Sequence, residues 1–295
     1  MGYLFLAIVL LTGKIKGYCG KKTSDYTRNF SDAIFANLLR MLFCIVIGFL
    51  LILADGNLSS IRPSTELILI SAFSGITTAI FVVTWLVCVK KSAYMMLDVF
   101  LMLGVLIPLI CSKIFFHEDI KFIQWIGIAV LFTAVVIMCS YNNSIKEKIT
   151  LPALGMLLIC GAASGLADFS QKLFMMRIPD GSVAAFNFYT YIFASMTLSL
   201  SLFAGRKTSD ATKKSDLRKI LGYILIMAVC LFANSYFKTL AAGHLSAVLL
   251  YPLNQGSSLI LSALMSSFFF KEKITKKAVV GIVIAFAGLI IINLL

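Results

Sequence analysis

The sequence predicts an all-α integral membrane protein of ten transmembrane helices, arranged as two inverted five-helix repeats. Three observations predict it. The 295 residues are 60% hydrophobic and only 13% charged, against about 25% charged in a soluble domain. Ten apolar segments can be counted, at about 2–24, 33–53, 67–89, 93–115, 121–140, 151–176, 182–204, 217–240, 244–270 and 276–295. Finally, one motif occurs twice at a constant offset. Phe-Phe-His-Glu-Asp-Ile (115–120) and Phe-Phe-Lys-Glu-Lys-Ile (269–274) are each followed, seven residues after the Ile, by Gly127 or Gly281. Across Phe115–Met138 and Phe269–Ile292, eight of 24 positions are identical without a gap.

The repeat divides the chain into residues 1–144 and 145–295, with the split in the polar run Tyr141–Lys148. Five spans is an odd number, so the second copy enters the bilayer upside down relative to the first, a geometry common in transporters.

The segment His244–Phe270 carries the clearest signs of use. Its 27 residues hold no charged side chain apart from the His, and it is long enough to cross a ~30 Å hydrocarbon core. Tyr251-Pro252 removes a backbone donor inside it, and Asn254-Gln255 puts two amides near mid-depth. Lipid offers amides no partners, so these face a cavity or another helix.

The first segment spans only if it continues past Leu11 through Gly13, Lys14, Ile15, Lys16 and Gly17 to Gly20. Gly161 and Gly165 in segment six match Gly13 and Gly17, and small residues on one face permit close helix packing. Lys14 and Lys16 then either lie inside the membrane facing water or a partner, or the helix is short and both are interfacial.

The net charge of +13 resides in short loops and is topological rather than a nucleic-acid footprint. Outside Lys14, Lys16 and Arg40, seventeen Lys and Arg follow odd-numbered segments, against six (Arg62, Lys113, Lys121, Lys172, Arg177, Lys238) after even-numbered ones. The positive-inside rule puts the first set in the cytoplasm and both termini outside, in an inner or plasma membrane. The seven Cys show no CxxC and no pairing with His, so they read as small buried hydrophobes. No metal site, cofactor motif or nucleotide-binding motif is present.

The paired Phe-Phe-x-Glu-x-Ile endings, the five-plus-five arrangement and Leu38-Leu39-Arg40-Met41 in segment two resemble the EamA-type members of the drug/metabolite transporter superfamily. Those proteins carry an "LRF"-like triplet in the second helix and a glutamate before a leucine-threonine turn in each half. Glu272-Lys273-Ile274-Thr275 fits this pattern, whereas Glu118-Asp119-Ile120-Lys121 lacks the threonine. The resemblance implies a central cavity lined by helices one to four and six to nine, with helices five and ten outside, and transport by alternating access. Family members move amino acids, sugars, nucleotide-linked metabolites, quaternary amines or drugs. The small four-helix multidrug relatives exchange protons through a glutamate in their first helix. Lys14 and Lys16 stand in that helix here, with no acid, so efflux of that type is not expected.

Transport needs polar groups that replace hydration at mid-membrane. Asp98 matches Pro252 in the repeat register, so Asp98, Tyr251, Asn254 and Gln255 occupy corresponding depths of two facing helices. Alternatively Asp98 lies near the headgroups beside Lys90 or Lys91. Asp168 and Lys172, four apart on one helical face, form either an internal ion pair or a gate. Arg40, which matches Tyr191, either snorkels to the interface or holds a substrate carboxylate. Thr77, Thr78, Trp85, Asn234 and Tyr236 add hydroxyls, an amide and aromatic faces, although Trp85 also suits an interfacial belt. Pro108 either kinks segment four at a gate or is merely tolerated.

The cations inside the segments (Lys14, Lys16, Arg40, Lys172) outnumber the acids (Asp98, Asp168). This favours a carboxylate, phosphate or amino-acid-like zwitterion as substrate. The expected protein is therefore a secondary transporter and not an enzyme, exporting a small polar metabolite. It lies in the lipid bilayer as a monomer or homodimer, coupled to protons or another ion. The alternatives are an importer of a sugar or amine, or a membrane enzyme or scaffold. An enzyme would need clustered acids, His or Cys, and only His117-Glu118-Asp119 is on offer.

Overall fold

The computed structural model describes residues 1–27, 29–54, 64–91, 94–140, 151–204, 214–270 and 276–293. Among them every regular element is a helix: α1 (Gly2–Ser24), α2 (Phe30–Ala54), α3 (Thr65–Lys91), α4 (Tyr94–Gly104), α5 (Leu106–Phe116), α6 (Phe122–Ser140), α7 (Leu151–Arg177), α8 (Val183–Ala204), α9 (Lys214–His244), α10 (Ala247–Phe270) and α11 (Lys276–Asn293). Seven of these helices are each long and apolar enough to cross a membrane, and three shorter apolar stretches accompany them. The surface and interior are partitioned as a bilayer requires. Leu11, Leu50, Leu69, Leu200 and Val283 are exposed, whereas Lys14, Arg40, Asp98, Asp168 and Lys172 are buried. The protein is a multi-pass membrane protein. The polar run at 141–150, which carries the split between repeats, and the second motif copy from Lys271 to Thr275 lie outside the described residues.

Helix α1 runs unbroken for 23 residues through Lys14 and Lys16, so the first segment is a full span. Segment four is divided into α4 and α5. Pro108 has no N–H to give the carbonyl of Gly104, and its ring crowds that carbonyl. Around the break, Val105 N–H donates instead to Met102 O at 3.1 Å. Pro252, by contrast, is accommodated inside α10. Helices α9 and α10 are separated only by Leu245 and Ser246, because α9 continues to His244, four residues beyond the end expected for segment eight.

The principal helix neighbours are α1 with α9, α3 with α7, α2 with α8 and α6 with α11. Glycines set the closest crossings. A Cβ added at Gly161 would lie 2.4 Å from Phe100 O, and one at Gly165 would lie 2.2 Å from Gly104 O. The small-residue face of α7 is thus used, and its partner is the broken helix α4. Because the obstructing atoms are backbone, Gly161→Val must push the helices apart. It is expected to cost about 1–3 kcal/mol or more, read as a lower thermal midpoint, while Gly155→Ala, where a Cβ meets nothing within 4 Å, keeps the midpoint or raises it slightly, since alanine suits a helix better than glycine. Equal midpoints for the two variants would show that this crossing is loose.

Candidate functional site

Helices α1, α3, α4, α7, α8, α9 and α10 enclose a central cavity of about 100 Å³, room for several waters. Among the described residues, α6 and α11 contribute nothing to its wall; they pack on each other, Gly127 against Gly288. Three ammonium groups (Lys14, Lys16, Lys238) and two carboxylates (Asp98, Asp168) line it, together with the amides of Gln171, Asn234, Asn254 and Gln255.

Two of the three cations are paired across helices. Lys14 Nζ lies 3.3 Å from Asp98 Oδ2, joining α1 to α4, and it also donates to Ser258 and Ser262 of α10. Lys238 Nζ lies 2.5 Å from Asp168 Oδ1, joining α9 to α7. Lys16 has no carboxylate partner among the described residues; its ammonium lies 5.7 Å from the centre of the Phe81 ring, a cation–π distance. Asn234 Nδ2 donates to Val9 O at 2.7 Å beside Gly13, whose missing side chain lets the amide approach. The cavity therefore holds one more positive group than negative.

A third ion pair closes the turn between α9 and α10. Lys172 Nζ lies 2.8 Å from Glu118 Oε1 and donates to Ala242 O at 3.1 Å and Leu245 O at 3.0 Å. Glu118 Oε2 accepts from Ala247 N–H at 2.8 Å, at the start of α10. The cation thus meets the C-terminal carbonyls of one helix and the anion the N-terminal amide of the next, each matching the helix dipole it faces. His117 makes this possible: its left-handed backbone (φ 52°) ends α5 and turns Glu118 toward α10.

The second half of the chain, residues 151–294, matches the family model described as the EamA-like transporter family. Residues 151–294 are thus similar to an EamA-like transporter domain. Twenty-eight chains of solved structures resemble the protein. One of them, titled only "Crystal structure of protein", superposes with a TM-score of 0.72 at 13% identity, covering 99% of this chain and 96% of the other. At that identity the likeness speaks for the fold alone. No curated protein matches the chain. The family is one of membrane transporters, which supports a transporter role in general.

Within the bundle, ten of the residues singled out from sequence line the cavity: Lys14, Lys16, Thr78, Trp85, Asp98, Asp168, Tyr191, Asn234, Asn254 and Gln255. Asp98 does not pair with Lys90, which donates to Thr27 O instead; the side chain of Lys91 lies outside the described residues. Trp85 is 5% exposed, with its ring against Gly20, so it belongs to the interior rather than to an interfacial belt.

Five expectations need correction. Asp168 and Lys172 do not pair with each other; Asp168 pairs with Lys238 of α9 and Lys172 with Glu118 in the connection between α5 and α6, because Asp168 faces the cavity whereas Lys172 meets the α9–α10 turn. Arg40 is 2% exposed and does not reach the interface, nor does it line the cavity. Thr77 is also absent from the wall, its hydroxyl donating to Phe73 O and Ser74 O of its own helix, while Thr78 takes that place. Tyr251 lies behind the wall, its hydroxyl donating to Asp168 O at 2.7 Å. Lys172 and Lys238, counted as loop charges, are inside α7 and α9.

Lys238 and Glu118 are the ion-pair residues that sequence reasoning passed over. Lys238 stands near the polar end of its segment and was indistinguishable there from a loop cation. Glu118 was legible as half of a repeated motif, but its partner stands 54 residues along the chain.

Proposed function

We propose that the protein is a secondary transporter of a small polar metabolite bearing a carboxylate or phosphate, an amino acid or a similar zwitterion or anion. It works by alternating access and exports its substrate from an inner or plasma membrane whose outer face holds both termini. The single observation that carries this reading is the cavity's charge balance, with Lys16 left over once Lys14 and Lys238 are paired. A bound anion completes that balance. The side-chain amides of Asn254 and Gln255 line the same cavity without a described protein partner, and buried amides need one.

The pairing of helices supports an inverted repeat. Exchanging the halves turns the α1–α9 neighbours into α7–α3, and maps α2–α8 and α6–α11 onto themselves. Arg40, whose buried Nε has no hydrogen-bond partner and which lies within electrostatic range of Lys16 and Tyr191, adds to the positive field around the substrate.

The test is transport by the purified protein in liposomes, challenged with labelled amino acids, organic acids, sugars and amines. An amino acid or organic acid is expected to move. Lys16→Ala and Asn254→Leu should each reduce its transport by about 10–100-fold, the loss of a hydrogen bond of roughly 1.5–3 kcal/mol to a charged group. Movement of sugars or amines alone would favour the importer reading, and full activity in both variants would remove the substrate from this cavity.

A further inference from the structure

Lys14 Nζ is surrounded by four oxygens: Ser258 O at 2.7 Å, Ser258 Oγ at 2.7 Å, Ser262 Oγ at 2.5 Å and Asp98 Oδ2 at 3.3 Å. Both serine hydroxyls also donate to Asp98 Oδ2. A lysine ammonium has only three N–H donors, so this shell has one oxygen more than the ammonium can serve. Four oxygens around one point, with no nitrogen or sulfur among them, is the donor set of a hard cation. The shell contains a single carboxylate, which balances a monovalent ion and would leave a divalent one half compensated. Its oxygens come from α4 and α10, and Asp98 and Ser258 open onto the cavity, where water completes a coordination sphere. Helix α1 supplies the ammonium.

We propose that Asp98, Ser258 and Ser262 form a monovalent-cation site that the chain fills with its own Lys14 ammonium. The native protein therefore needs no sodium at this site, and removing the Lys14 side chain opens the site to Na⁺. The inference rests on the transporter reading only for its consequence, that a tethered ammonium stands where a coupling ion would bind. The chemistry of the site does not depend on the substrate.

The experiment is a thermal-unfolding measurement on the purified full chain, in sodium chloride and in choline chloride of equal ionic strength, with no substrate present. The wild-type midpoint is expected to be the same in both salts. For Lys14→Ala the midpoint should be higher in sodium by roughly 5 °C, the size expected of an ion that binds only the folded state. The added substitution Asp98→Asn should abolish that difference. A folded Lys14→Ala protein with equal midpoints in the two salts overturns the proposal, as does a sodium-dependent midpoint in the wild type. Should the alanine variant not survive purification, Lys14→Ser, which adds a further oxygen, is read in the same way. Recovery of either variant in sodium but not in choline supports the site. Loss of both variants in both salts overturns it, since the ammonium would then be a strut that no ion can replace. Because no transport is measured, a failure here leaves the transport reading standing, and the converse also holds.

Discussion

Replacing Asp168 with Ala is expected to destabilise the protein by about 3–5 kcal/mol, the cost of leaving one member of a buried ion pair alone. Asp168 and Lys238 have side chains only 4% and 13% exposed, so Lys238 cannot turn outward to bulk water when its partner is lost. Lys16 stands within electrostatic range of it, and the vacated site would hold two like charges facing one cavity. The double variant Asp168→Leu/Lys238→Met removes both charges at similar volume and should recover most of the lost stability, since well-packed apolar replacements of buried pairs are often neutral. Unfolding in mixed detergent micelles measures both. A single variant within about 0.5 kcal/mol of wild type, the range of ordinary surface substitutions, would show that the pair is open to water. The double variant also separates structure from use. If it is stable and still transports, the pair is a brace; if it is stable and inactive, the pair works in the transport cycle.

Glu118→Ala should have an effect of similar size, about 3 kcal/mol or more, because the one carboxylate serves two partners. Its loss strands Lys172, whose side chain is 5% exposed, and leaves Ala247 N–H, at the start of α10, without its acceptor. Glu118→Gln keeps an acceptor for that amide while removing the charge, and is expected to fall between alanine and wild type. Hydrogen exchange offers a local readout: the amides of Ala247 and its neighbours should lose protection in the alanine variant and retain part of it in the glutamine variant. Equal exchange in all three proteins would mean that the α9–α10 turn is held by something else. The effect matters for function because α10 carries Asn254, Gln255 and Ser258 into the cavity, so its starting point sets their depth.

Much of the bundle was legible in the chain. Spans declare themselves by length and hydropathy, because lipid tolerates only backbone that satisfies itself. The amides at Asn254 and Gln255 and the charges at Lys14 and Asp98 were conspicuous for the same reason, and all of them reach the cavity. Reading failed where a residue's meaning depends on another helix. Asp168 and Lys172 share a helical face, and adjacency along the chain suggested a pair; helix α9 and the α5–α6 connection offered each a better partner. Thr77 and Thr78 are equivalent in composition, and only the rotation of α3 decides that Thr78 meets the cavity. Tyr251 was placed at the right depth but behind the wall, its hydroxyl spent on Asp168 O.

The sequence by itself determined that this chain crosses a membrane many times, where the crossings fall, and which polar groups are too costly to place in lipid without a partner. Those are local properties, set by the transfer of each side chain and peptide group from water to hydrocarbon. Only the tertiary structure decided who the partners are: Lys14 with Asp98, Lys238 with Asp168, Lys172 with Glu118. Such choices depend on how helices rotate and cross, and here the crossing of α4 and α7 is set by backbone atoms meeting at glycines, information that hydropathy does not carry.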